Sequence, residues 1–133
     1  MLDMTKRLTI LTALAHVCRK SLLLLEAFGA ARATGLVQND PVKGVLLRRR
    51  RNVAMLRTLL RAEGGERTYP PFPIPASVDA DMVIAAEVDL LAYLERQLAR
   101  ADLPDDLHSL TSAYREDVLQ AMLILQRLRD RTH

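Results

Sequence analysis

Between residues 66 and 76 the chain reads ERTYPPFPIPA, with prolines at 70, 71, 73 and 75. Proline fixes φ and removes a backbone donor, so no helix runs through this stretch and no central strand accepts it. The segment is expected to be extended and polyproline-like, and it divides the chain in two. Counted from Gly64, its thirteen residues reach ~40 Å at about 3.1 Å per residue. A 24-residue helix is roughly 36 Å long. The connector can therefore run the length of a helical bundle.

Both flanking halves read as helices. The stretch 40–63, DPVKGVLLRRRRNVAMLRTLLRAE, opens on an N-cap aspartate with proline at the first helical position. It ends at Gly64-Gly65, a C-cap signal. Val42, Val45, Leu46, Val53, Leu56 and Leu60 share one face, and Arg49 falls on that face too. Upstream, residues 5–34 carry Leu8, Leu11, Ala15, Cys18, Leu22, Leu25 and Gly29 at helical spacing. Ile10, Leu14, Val17, Leu24 and Phe28 widen that stripe, and Leu22–Leu25 is apolar around a whole turn. Gly29 or Gly35 is expected to end this helix.

Downstream, Ser77 is the expected N-cap of a helix over 77–101, with Asp79 and Asp81 in its first turn, where the dipole favours them. Ile84, Glu87, Leu91, Leu94 and Leu98 form its stripe. A turn at Asp102-Leu103-Pro104 leads into a helix over 104–131, whose face holds Leu107, Leu110, Tyr114, Asp117, Ala121, Leu125 and Leu128.

These elements predict an all-α four-helix bundle, one domain over 1–133. Short connections join helix one to two and three to four, so each pair is antiparallel. The long middle connection allows helices two and three to start at the same end. That is the one-crossover, ferritin-like arrangement; the alternative is an up-down-up-down bundle with a loose proline loop.

Composition supports this class. Leu, Ala and Arg, all helix formers, dominate, and only five residues are aromatic. The single cysteine, Cys18, excludes an internal disulfide and a cysteine-based zinc site. The N-terminal run Leu8–Cys18 imitates a signal peptide, but Arg19-Lys20 stand where a small-residue cleavage site belongs. No uninterrupted apolar run reaches the ~18 residues of a membrane span. A cytoplasmic protein without a membrane span is expected. Residues 1–63 carry 12 Lys/Arg against 4 Asp/Glu, and residues 64–133 carry 7 against 12. A basic half and an acidic half suggest that they pack on each other, or that subunits do.

Three stretches carry a family resemblance: VLLRRRRNVAMLRTLLRAEGGE at 45–66, AAEVDLLAYLERQLARADLPDDL at 85–107 and VLQAMLILQRLRD at 118–130. They resemble uncharacterised bacterial four-helix domains of the ferritin-like superfamily over about two thirds of the chain. The Gly-Gly-Glu and Asp-Leu-Pro punctuation is the most specific part. The resemblance implies a fold more than an activity. Ferritin-like enzymes hold two metal ions with carboxylates and Glu-x-x-His pairs inside the bundle. Here no glutamate has a histidine three residues on, and Met55 and Met122 occupy expected ligand positions on helices two and four. The metal chemistry does not carry over, and no cofactor is expected.

Glu26, Glu87 and Asp117 lie on or beside core-facing stripes of three helices. Inward carboxylates are costly unless they are paired or coordinate a metal. A non-standard metal site is one reading; pairing with inward arginines such as Arg49 is the other. Helix two offers no carboxylate between Asp40 at its cap and Glu63, which favours pairing. Arg48, Arg49, Arg50 and Arg51 form a charged cluster suited in kind to phosphates. Four consecutive residues fan out around a helix, however, and few aromatics accompany them. A polyanion-binding module is thus the lesser alternative, nucleic acid is disfavoured, and a bridge to the acidic third or fourth helix is preferred. His16, with Arg19 and Lys20 one turn on, faintly resembles a phosphotransfer histidine, but Lys20 stands where such bundles keep a small residue.

No catalytic constellation emerges. The expected role is that of a non-enzymatic bundle acting through self-association or a protein partner, with a homodimer as the expected form and the excess apolar surface of helix one, Val17, Leu23 and Leu24, as the interface.

Overall fold

Four α-helices form where the local chemistry places them: α1 (Met4–Arg32), α2 (Pro41–Ala62), α3 (Ala80–Leu98) and α4 (Asp105–Arg131). The computed structural model describes residues 4–32, 40–65 and 72–131. Asp40 caps α2, its side chain accepting from the Val42 N–H at 3.1 Å, and Pro41 follows at the first helical position. At the other end Gly64 has φ +72°. The Gly65 N–H donates to Leu60 O at 2.7 Å and the Gly64 N–H to Arg61 O at 3.1 Å, the paired bonds of a Schellman motif.

Three boundary expectations change. The N-cap of α3 is Asp79, which accepts from the Met82 N–H at 2.9 Å, rather than Ser77. The intervening Val78 is buried, and Asp79 after it is extended (φ −103°, ψ 175°), so the chain reaches the core before the helix begins. The helix also stops at Leu98, short of residue 101. Gly29 lies inside α1 rather than at its end; a Cβ added there would approach Leu46 Cδ1 to 2.8 Å, so the small residue lets α1 and α2 come close. Gly35 lies outside the described residues.

The helices form two close pairs, α1 with α2 and α3 with α4, and the pairs meet more loosely along α1/α3 and α2/α4. Along the diagonals α1/α4 and α2/α3 the backbones do not come close, and only long side chains reach across. Ion pairs fix the directions. Arg32 Nε meets Asp40 Oδ2 at 3.0 Å, and Arg7 meets Glu63, so α1 and α2 are antiparallel. Arg115 with Glu95 at 3.4 Å and Arg129 with Asp81 at 3.6 Å do the same for α3 and α4. Arg7 Nη2 also reaches Asp106 Oδ2 at 2.6 Å, which puts the start of α4 beside the start of α1.

It follows that α2 and α3 start at the same end, and the chain must travel the length of the bundle between them. Gly65 packs beside Leu8 near the start of α1. Phe72 reappears farther up, its ring centroid 5.0 Å from Lys20 Nζ. The proline segment's residues 66–71 lie outside the described residues.

The core runs the full length of all four helices, with Leu11, Leu14, Leu25, Val45, Leu56, Val83, Leu94, Leu107 and Leu125 fully enclosed. Helix α1 corrects the expected outward leucine surface. Leu22, Leu24 and Leu25 are buried within the monomer, and no large exposed hydrophobic residue among those described belongs to α1. The reason is its set of neighbours: α2 on one side, α3 on the other, and Phe72 of the connector beside Lys20. By length and composition α1 is nevertheless apolar enough to cross a membrane, and half of its most apolar window is buried inside the bundle.

Candidate functional site: a buried ion-pair network and a surface groove

Halfway along the bundle the apolar core is interrupted. Arg49 of α2 is 1% exposed and Glu87 of α3 is 0% exposed. Arg49 Nη1 and Nη2 donate to the two carboxylate oxygens of Glu87 at 2.6 and 2.7 Å. Such a bidentate fork is the strongest geometry available to an arginine and a carboxylate. Ser21 of α1 receives a hydrogen bond from Arg49 and donates its own to Glu87 Oε1 at 2.5 Å. Arg49 Nε points to Asp117 Oδ2 of α4 at 3.3 Å. Asp117 also accepts from Asn52 Nδ2 at 3.1 Å and Arg48 Nε at 3.3 Å. Tyr114 completes the layer, donating to the Asn52 carbonyl at 2.9 Å.

All four helices thus contribute to one polar layer, and its side-chain bonds cross between the α1/α2 pair and the α3/α4 pair. Burial works against the charge on Arg49, but the hydrogen bonds and charge of Glu87, with Asp117, outweigh it and hold the guanidinium charged. The two arginines balance the two carboxylates. Cys18 lies close by, and burial pushes its thiol up to about 12.

The structure treats the sequence candidates differently. Glu87 and Asp117 converge on Arg49. Glu26 does not join them: its half-exposed carboxylate sits at the rim, 3.5 Å from Arg50 Nε. Arg48 turns toward Asp117, and Arg51 is exposed, so the four arginines leave the helix in different directions. Val17 and Leu23 are half-buried and Leu24 is buried. His16 is exposed on α1. Sequence reasoning missed Ser21 and Asn52. A lone hydroxyl in the run KSLLLLEAF was the available signal for Ser21.

The residues do not fit the metal centre of a ferritin-like enzyme. The guanidinium of Arg49 stands between the two carboxylates, and both oxygens of Glu87 are occupied by its N–H groups. A divalent cation would meet a fixed positive charge where it needs free oxygens. No cluster of metal-ligating side chains exists elsewhere among the described residues.

Two surface depressions mark the seam between the helix pairs. Between α2 and α4, Arg48, Arg51, Asn52, Glu116, Asp117 and Gln120 line a shallow polar notch of about 290 Å³. Between α1 and α3 lies a larger, mostly apolar groove of about 520 Å³. Its wall on α1 is Val17, Lys20, Ser21 and Leu24; α3 supplies Met82, Ala86, Leu90 and Tyr93, with Asp89 and Arg96 at the rim.

Comparison of the chain with protein-family models, curated proteins and solved structures finds no match.

Proposed function

We propose that this chain is a non-enzymatic four-helix bundle that works by binding protein, in the first place a second copy of itself. The observation that carries the reading is the apolar groove between α1 and α3. It is larger than the polar notch between α2 and α4, and its lining is mostly apolar, with Lys20, Asp89 and Arg96 as its charged members, a composition suited to a protein contact surface. The buried charges support the same reading. Arg49, Glu87 and Asp117 use their hydrogen-bonding capacity on one another, so the interior works as a fastening between helix pairs.

The ferritin-like assignment belongs to this proposal. The shared starting end of α2 and α3 supports it; the guanidinium among the carboxylates argues against a metal-binding role. Phosphate binding by Arg48–Arg51 is disfavoured because Arg48, Arg49 and Arg50 each face a carboxylate. The test is molar mass in solution by light scattering over a micromolar concentration series. A mass that rises to twice the monomer is expected. A monomer at every concentration would overturn self-association.

A further inference from the structure

We propose that the outward face of α2 docks on an anionic lipid bilayer, lying against its surface without crossing it. The proposal is independent of self-association, because the α1/α3 groove includes no residue of α2 and stays free.

Between Asp40 and Glu63 helix α2 carries no carboxylate. Lys43, Leu47, Arg51, Ala54 and Thr58 recur at intervals of four and three and are all exposed, so they form one stripe along its outside. Met55 and Arg57, also exposed, flank the stripe. Lys43, Arg51 and Arg57 form no ion pair among the described residues. The nearest opposing groups are already engaged. Glu26 of α1 stands 3.5 Å from Arg50, and Glu116 of α4 stands 3.5 Å from Arg115. An extended surface of negative charge is the complement of such a face.

The apolar members select a bilayer among polyanions. Leu47 is 58% exposed and Met55 47% exposed, and they stand among the cations. Aliphatic side chains between arginines enter the boundary between headgroups and acyl chains, while the cations meet the headgroups. A nucleic-acid strand would call for aromatic platforms, and α2 has none. The diagonally placed α3 exposes Asp81, Asp89 and Glu95 instead. The molecule is thus polarised, and an anionic surface draws α2 toward itself while turning α3 away.

The test is flotation with vesicles of phosphatidylcholine and phosphatidylserine, against phosphatidylcholine alone. The wild type should float with the anionic vesicles only, and added salt should release it. Each cation near such a surface strengthens binding by about fivefold. Lys43→Glu with Arg57→Glu should therefore weaken it by about twentyfold or more. Glutamate at 43 lies in the first turn of α2, where the dipole favours it, so the fold is retained. Lys43→Gln with Arg57→Gln should shift binding in the same direction by a smaller factor. Leu47→Ser with Met55→Ser should weaken it severalfold with the charge unchanged. Absence of flotation, equal flotation with neutral vesicles, or full binding by either charge variant would overturn the proposal. Unchanged binding by the Leu47/Met55 variant would also overturn it, and binding to a DNA duplex without flotation would give the face to nucleic acid instead. None of these outcomes bears on the molar mass that tests self-association.

Discussion

Arg49 and Glu87 are joined by two hydrogen bonds of 2.6 and 2.7 Å although their helices, α2 and α3, lie on a diagonal of the bundle where the backbones do not come close. Only long side chains bridge that gap, and their fork fills the centre of the molecule. The arrangement makes the network a fastening across the looser seam. Its value shows when one partner is removed, because the other is then left charged and dry.

Arg49→Ala is therefore expected to lower stability by about 3–5 kcal/mol, since it strands Glu87 at full burial. The double variant Arg49→Met with Glu87→Leu removes both charges, leaves Asp117 its bonds to Arg48 and Asn52, and should be far less damaging than Arg49→Ala alone. Urea unfolding of the three proteins measures this. A double variant weaker than Arg49→Ala would show that the pair contributes more than mutual neutralisation.

Gly64 holds a left-handed conformation at φ +72°, with no heavy atom near enough to obstruct a Cβ. Gly64→Ala thus isolates the backbone cost and should destabilise by about 1–2 kcal/mol. Gly64→Asn should cost less, because asparagine enters this region more readily. Thermal unfolding of the two variants checks the order.

Acid is expected to weaken the end contacts. The hydrogen bond from Arg7 lowers the Asp106 pKa. At Asp40 burial works the other way, but the bonds from Arg32 and the Val42 N–H outweigh it, and the pKa again falls. A depressed folded pKa means the unfolded chain binds more protons in this range. The stabilisation is then complete above the ordinary carboxylate pKa of about 4 and is lost as pH falls through the lower folded values. Asp40→Asn and Asp106→Asn should each flatten the loss of stability in a urea series taken from neutral pH to pH about 3. Unchanged acid sensitivity in both variants would assign it elsewhere.

Cys18 is buried, and its thiol is pushed up to about 12. A thiol reagent should label the native protein slowly and the urea-unfolded protein at the rate of free cysteine. Fast native labelling would mean that α1 opens readily from the bundle.

Much of the architecture was legible in the sequence. Asp40-Pro41 and Gly64-Gly65 bound α2 within a residue, because caps are local chemistry. Apolar spacing identified all four helices and placed Arg49, Glu87 and Asp117 on inward faces. It failed at α3, where Asp79 rather than Ser77 is the cap, because the burial of Val78 is a tertiary event. It failed also for the leucines of α1: spacing counts apolar faces but does not count neighbours.

What the sequence by itself determined is therefore the helices, their ends and the inward position of three charges. Hydrogen bonds along a helix and its caps join residues a few positions apart, so they are written locally. Only the tertiary structure decided which charges meet. Glu87 and Asp117 lie 38 and 68 positions from Arg49, and Ser21 lies 28 from it. Their meeting depends on the heights and directions of four helices, and that is settled by packing. The same packing leaves Glu26 at the rim and encloses Leu24.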